Sequence, residues 1–439
     1  MRYFPLYRFV KYLLYRRHNF DTVSDDIRRR RVVQSIGAVG AAVLAGCSSD
    51  GGGGSPENES SGTTPANGST SDEPGRSTDD SHPQNAWPRY GSDAGETNAS
   101  PGPAPVAESF EEAWRIENVA SAQPVADSEY LYVHAGESIR CIGYDGDLEW
   151  EVSAGSASNL MRYDDTLAYF GDGVYYLLDA TNGDRIASLQ TEGPLSLDTF
   201  TFHEGLLVTG MDELGLGDPW LAATDVESGE ERWRVTVPAP KSGVVVGDVV
   251  LATDQNAIGA YDLENGSARW ETEHDAIGPV MTADEHGAFG TLSGGVLSPT
   301  ELFAHEVDSP ERRWRRGLPA EESVIDLALD EEALYVIQSH AVSALDRETG
   351  ETNWSFNATG EITGNPLLTP SALYLHEEEL IEIVDPEAGE QQQVIGTESL
   401  LGTEDPPVWY DMIPAHGRLY VGLAAALHDD PLLALDAPA

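Results

Sequence analysis

Leu334-Tyr-Val-Ile-Gln-Ser-His-Ala-Val-Ser-Ala-Leu-Asp346-Arg-Glu-Thr-Gly350-Glu-Thr-Asn-Trp354 carries the pattern that decides the fold. It opens on a short run, Leu334-Tyr-Val-Ile, of the aromatic and β-branched types that favour strands. A second apolar strand follows and ends at Asp346. Asp346-Arg-Glu-Thr-Gly350 then reads as a turn, with a side-chain acceptor at its start and a residue free to take positive φ at its end. Trp354 stands eight residues beyond the acid.

The unit recurs. Ala222-Ala-Thr-Asp225-Val-Glu-Ser-Gly-Glu-Glu-Arg-Trp233 and Gly259-Ala-Tyr-Asp262-Leu-Glu-Asn-Gly-Ser-Ala-Arg-Trp270 keep the same eight-residue spacing from acid to Trp. Related β-prone runs begin at Tyr130, Leu167, Leu206, Val249, Ala288, Leu373 and Leu419. The anchoring acids are Asp145, Asp179, Asp225, Asp262, Glu306, Asp346, Asp385 and Asp436, eight units over 291 residues. A period of about 42 residues is that of a four-stranded propeller blade.

One blade cannot bury both of its faces, so blades must stack, and the Trp is placed to cover the next blade. The ends are complementary. The last unit stops at Leu433-Ala-Leu-Asp436, just after a third strand, and the missing Trp strand stands at the start, Ala113-Trp114-Arg-Ile116. The expected fold is therefore all-β: an eight-bladed β-propeller of four-stranded antiparallel blades over residues 106–439, closed by an N-terminal strand that leaves no open edge.

These units resemble the PQQ-type (pyrroloquinoline quinone) propeller repeat, with its Leu-Tyr-Val…Ala-Leu-Asp-x-x-Thr-Gly-x-x-x-Trp pattern, and residues 334–354 are its best copy. Trp87-Pro-Arg-Tyr-Gly-Ser-Asp-Ala resembles the lead-in to such arrays, so the resemblance covers about residues 87–439. It extends to the BamB-like lipoproteins and to haloarchaeal secreted relatives, and it implies a non-catalytic, protein-binding scaffold. Quinoprotein alcohol dehydrogenases resemble the same repeat, which makes a quinone- or metal-dependent extracytoplasmic oxidoreductase the alternative; a small-ligand sensor using the central channel is a third reading. Those dehydrogenases carry a vicinal Cys-Cys disulfide and a calcium set of Glu, Asn and Asp. Here the two cysteines, Cys47 and Cys141, are far apart and no matching cluster can be placed. PQQ and calcium are thus unsupported by motifs. His-Glu-x-x-His, Gly-x-Ser-x-Gly and P-loop motifs are missing as well. No catalytic, cofactor-binding or metal-ligating residue is nominated, and the anchoring acids, repeated in every unit, read as turn elements.

The N-terminus reads as an address over residues 1–46. Arg28–Arg31 precede a mildly apolar stretch, Val32–Ala45, too short to span a bilayer as a helix. Arg29 and Arg30 fit a twin-arginine export motif, and Leu44-Ala-Gly-Cys47 fits a lipobox with Cys47 as the lipidated residue. The expected location is the extracytoplasmic face of the cell membrane, held by lipid. Residues 1–27 do not suit such a leader, and the reading places the true start near Val23. Residues 47–105, with Gly51–Gly54 followed by Ser, Thr, Pro and acids, read as a disordered spacer.

Charge narrows the setting. There are 75 acidic and 25 basic residues, a net of −50, and the only lysines are Lys11 and Lys241. Such a surface repels itself in dilute buffer. At 1 M salt the Debye length shrinks to roughly 3 Å and quenches that repulsion, so the composition reads as halophilic and archaeal. Nucleic acid is excluded as a partner, because phosphate binding needs Lys and Arg; the expected partner is a protein, and the membrane is met through the lipid anchor.

Three units are longer than the rest between β run and acid, and each carries an insertion from a Gly to a Pro nine residues on: Gly210–Pro219, Gly290–Pro299 and Gly422–Pro431. Insertions at one place in every blade mark a binding face. Their apolar content makes Leu214, Leu216, Trp220, Val296, Leu297 and Leu427 candidate partner contacts. Asn58, Asn67, Asn98, Asn265, Asn353 and Asn357 head glycosylation sequons.

Overall fold

Strand residues of the repeat pair within each unit and stack between units, as a computed structural model shows. The structure describes Asp93, residues 97–100, 104–106, 110–117 and 119, and residues 124–437 except 156, 172–173, 191–199, 212–219, 238–241, 254–256, 274–276, 294–299, 319–323, 378–379, 397–408 and 425–430. All of these lie in one compact unit, Thr78–Ala439. They form eight four-stranded antiparallel sheets, the blades of a β-propeller, with no helix among the described residues. In chain order, blades 1 to 8 occupy residues 125–153, 157–190, 200–236, 242–273, 277–317, 324–357, 367–396 and 409–436.

First strands of successive blades pack on one another: Ser242–Val246 on Ile277–Asp284, and the latter on Val324–Leu329. They therefore circle the axis, and fourth strands lie outermost. The sequence pattern follows from this. The second strand of blade 6, Ala333–Gln338, is buried at every position, because both of its faces meet neighbouring blades. Its outer strand, Thr352–Asn357, alternates exposed and half-buried residues, because one face meets solvent.

The core is a set of apolar layers between blades. Tyr132, Ile139 and Cys141 of blade 1 pack with Leu167, Tyr169 and Leu178 of blade 2. The closing layer joins Leu367 and Tyr374 of blade 7, Leu419 and Leu433 of blade 8, and Leu131 and Val133 of blade 1. Closure is covalently staggered as expected. Glu111–Ile116 pairs antiparallel with Leu432–Asp436, Glu111 opposite Asp436 and Ile116 opposite Leu432, and completes blade 8.

The spacer expected over residues 47–105 ends earlier. Thr97, Asn98 and Ser100 are buried. The Ser100 N–H donates to Leu368 O (2.8 Å), the Leu368 N–H to Asn98 O (2.9 Å) and the Leu329 N–H to Thr97 O (2.9 Å). These residues form a strap between the inner strands of blades 6 and 7, where its polar backbone is satisfied by strand ends. Asn98 takes φ +53°, a left-handed conformation Asn tolerates. Its Nδ2 donates to Leu327 O (2.8 Å) and Asp326 Oδ2 (3.2 Å). The Asn98 side-chain amide is thus buried and hydrogen-bonded in this fold.

Candidate functional site

Six of the eight outer strands carry a Trp that docks on the next blade; blades 2 and 7 have Ala187 and Gln393 in its place. Indole N–H groups donate to main-chain carbonyls: Trp114 to Tyr144 (3.0 Å), Trp150 to Ala180 (3.0 Å), Trp233 to Leu263 (2.7 Å), Trp270 to Val307 (2.8 Å), Trp314 to Arg347 (2.8 Å) and Trp354 to Pro386 (3.0 Å). In five of the six docks, all but that of Trp270, the ring covers the turn glycine of the receiving blade. A Cβ on Gly266 would stand 2.6 Å from the Trp233 ring, and Gly266 is at φ +72°, so both contact and conformation demand glycine.

Blade 2 departs from this. Eight residues past Asp179 stands Ala187, not Trp. The receiving turn of blade 3 is intact: Gly229 is at φ +71° and its N–H donates to Asp225 O (2.8 Å). Among the described residues only Leu189 lies over Gly229, its Cδ2 3.3 Å from where an added Cβ would stand. A cleft of about 170 Å³ remains between the blades. Tyr175, Leu189, Leu207, Thr209, Trp220 and Ala222 are the buried residues lining it, and Ser188, Glu231 and Arg234 at its edge are exposed. The Arg234 guanidinium sits 4.0 Å from the centroid of the Trp220 ring, and its Nε donates to Glu231 (3.0 Å). Burial holds the Tyr175 phenol protonated, well above its usual range.

Trp220 was expected on an exposed insertion. It is instead the first residue of the third strand of blade 3, Trp220–Asp225, and only 7% exposed, because pairing with Thr236 and stacking under Arg234 draw it into the sheet. The three insertions do fall between second and third strands: Met211 and Trp220, Ser293 and Thr300, and Ala424 and Leu432 bound them. Leu214, Leu216, Val296, Leu297 and Leu427 themselves lie outside the described residues, as do Arg29, Arg30, Cys47, Asn58 and Asn67. Asn265, in a turn, and Asn353 and Asn357, on an outer strand, are exposed. Cys141 is a buried free thiol within the layer between blades 1 and 2, and burial pushes it up to about 12.

Two features escaped the sequence pattern. Arg347, in the turn of blade 6, is 4% exposed; it pairs with Asp284 of blade 5 and donates to Asp330 O (2.5 Å). Its position in a surface-type turn gives no sign of this. Glu377 and Glu382 are buried in blade 7 at 1% and 0% exposure. Glu382 accepts from Thr359 N (3.1 Å) and Oγ1 (2.9 Å). Burial first, then the neighbouring Glu382 carboxylate, pushes Glu377 up to about 8. Among the described residues, no three His, Cys, Asp or Glu side chains converge as a metal-ligand set.

Fold and docks together define an eight-bladed β-propeller of interlocked, Trp-docked blades. A family model described as "Outer membrane protein assembly factor BamB" matches residues 106–316, just under half of the chain. BamB from Moraxella catarrhalis superposes with a TM-score of 0.56 at 15% identity, over 75% of this chain and 98% of that one. The quinohemoprotein alcohol dehydrogenase from Comamonas testosteroni superposes with 0.55 at 13% identity, over 81% and 82%. A europium-containing methanol dehydrogenase gives 0.57 at 10% identity, over 79% and 91%. No curated protein matches the sequence. These findings support a PQQ-like β-propeller; the structural likenesses are likenesses of fold.

Proposed function

We propose that the chain is an extracytoplasmic, lipid-anchored scaffold that holds a protein partner and performs no catalysis. One observation carries this: six blades dock by their own tryptophans, and between blades 2 and 3, where the Trp is missing but the receiving Asp225–Gly229 turn is kept, a cleft is left open. It presents Trp220, Tyr175 and Arg234, residue types enriched where proteins meet. The cleft adjoins the start of the strand that follows the 210–219 insertion, so Leu214 and Leu216 belong to the same region of the chain. Arg29-Arg30, Cys47 and the acidic composition support export, lipidation and a haloarchaeal source. The outer-membrane assembly role in the matching family's name is not transferred, since such a cell has no outer membrane.

Cross-linking of the full chain in multimolar KCl tests the reading. One partner recovered near stoichiometry by the native chain, and lost with Leu216→Ser plus Leu297→Ser, is the expected result. Equal recovery by the variant defeats the interface. The oxidoreductase reading is favoured by the propeller shared with the two dehydrogenases. Calorimetric titration with PQQ and calcium separates the two, because saturable, calcium-dependent binding would replace the scaffold with an enzyme.

A further inference from the structure

We infer that the cleft between blades 2 and 3 is a socket for one aromatic side chain, tryptophan or tyrosine, of the partner. This deepens the scaffold reading and rests on it. Six outer strands place their own Trp between blades, each with its indole N–H on a main-chain carbonyl of the next blade. At blade 2 the donor half of this dock is lost, with Ala187 in the Trp position. The receiving half is kept: the Asp225–Gly229 turn, its positive-φ glycine, and the carbonyl of Val226 at the acceptor position. The chain thus retains a surface shaped for an aromatic ring that none of the described residues fills.

Size and lining agree. A cavity of about 150 Å³ accepts a benzene ring, and this one is about 170 Å³. Leu189, Leu207 and Ala222 are apolar members of its lining, and Thr209 and Thr224 are polar ones. A ring that carries its own polar hydrogen, indole or phenol, suits that mixture better than a phenyl ring does. Arg234 at the edge stacks on Trp220 and stands ready to stack on a second ring. An aromatic side chain is also a rigid anchor, ordered at small entropic cost.

The probe is 5-fluoro-N-acetyltryptophanamide, followed by fluorine NMR with the full chain in multimolar KCl. Saturable binding is expected, weakened at least tenfold by Ala187→Trp, which restores the repeat's own residue and raises the melting temperature. Ala222→Leu, which fills the cleft from the opposite wall, gives the same loss in a second folded background. Absence of saturable binding to the folded native chain overturns the socket, as does binding unchanged in both variants. Binding that appears only in Trp87→Ser also overturns it, because the ring held would then be the chain's own. The scaffold reading fails separately. A partner cross-linked equally to the native chain and to Ala187→Trp leaves the scaffold standing and removes the socket. No partner captured at all removes the scaffold, whatever the probe does.

Discussion

Glu377 and Glu382 show how a buried charge writes itself into pH dependence. Glu377 binds its proton more tightly in the fold, at about 8, than its ordinary 4.5. The stabilisation from that proton is complete below about pH 4.5 and is lost as pH rises through about 8. The melting temperature at fixed salt is therefore expected to fall across that window. Glu377→Gln, which keeps a neutral group there, should flatten the slope and melt higher than the native chain above pH 8. Scanning calorimetry at several pH values checks both. Asp225 acts at the other end: hydrogen bonds from Ser228 lead in holding it down to about 2, so its contribution persists above its ordinary range and fades only in acid. Arg347 tests buried pairing. Arg347→Leu removes the partner of Asp284, which is itself partly exposed, and should cost roughly 1.5–3 kcal/mol in denaturant unfolding, the range for hydrogen bonds to charged groups.

At the scale of the strand and its turn, the Trp dock links neighbouring blades. Trp233 is 7% exposed, donates to Leu263 O and covers Gly266. Trp233→Ala should cost about 3–5 kcal/mol, the range for removing a buried large aromatic side chain. Gly266→Ala fails differently: the methyl meets the ring, and positive φ strains any other residue. Placed together in one chain, the two changes should cost less than their sum, since removing the ring relieves the clash. A double-mutant cycle reads that coupling.

The whole ring depends on two segments that precede its first blade. Glu111–Ile116 supplies the outer strand of blade 8, and residues 97–100 strap blades 6 and 7. A chain starting after Ile116 leaves blade 8 with an open edge and is expected to lose cooperative melting, whereas one starting at Thr78 keeps it. Appending residues 97–116 behind Ala439 should restore cooperativity if closure needs only the strand and not its covalent order. The net charge of −50 acts on the same transition. Raising KCl from dilute to molar screens that repulsion within a few Å, so the melting temperature should climb with salt; a flat salt profile would remove the halophilic reading.

By itself the sequence determined the repeat, the turn acids, the Trp spacing and the complementary ends, and with them eight blades and their closure. These are local periodicities: a strand and a turn each draw on residues within about ten positions of one another, and a dock joins residues 30 to 37 positions apart, one repeat on. Only the tertiary structure decided what depends on remote neighbours. Asn98 is buried because Leu327 and Leu368, more than 200 residues away, take up its polar groups. Trp220 leaves the insertion for the sheet because Arg234 and Thr236 receive it. Ala187 stands in a Trp position, and the consequence of that departure appears only in the packed blades. A cleft exists there because the adjacent blade kept its receiving turn and none of the described residues of blade 2 fills it.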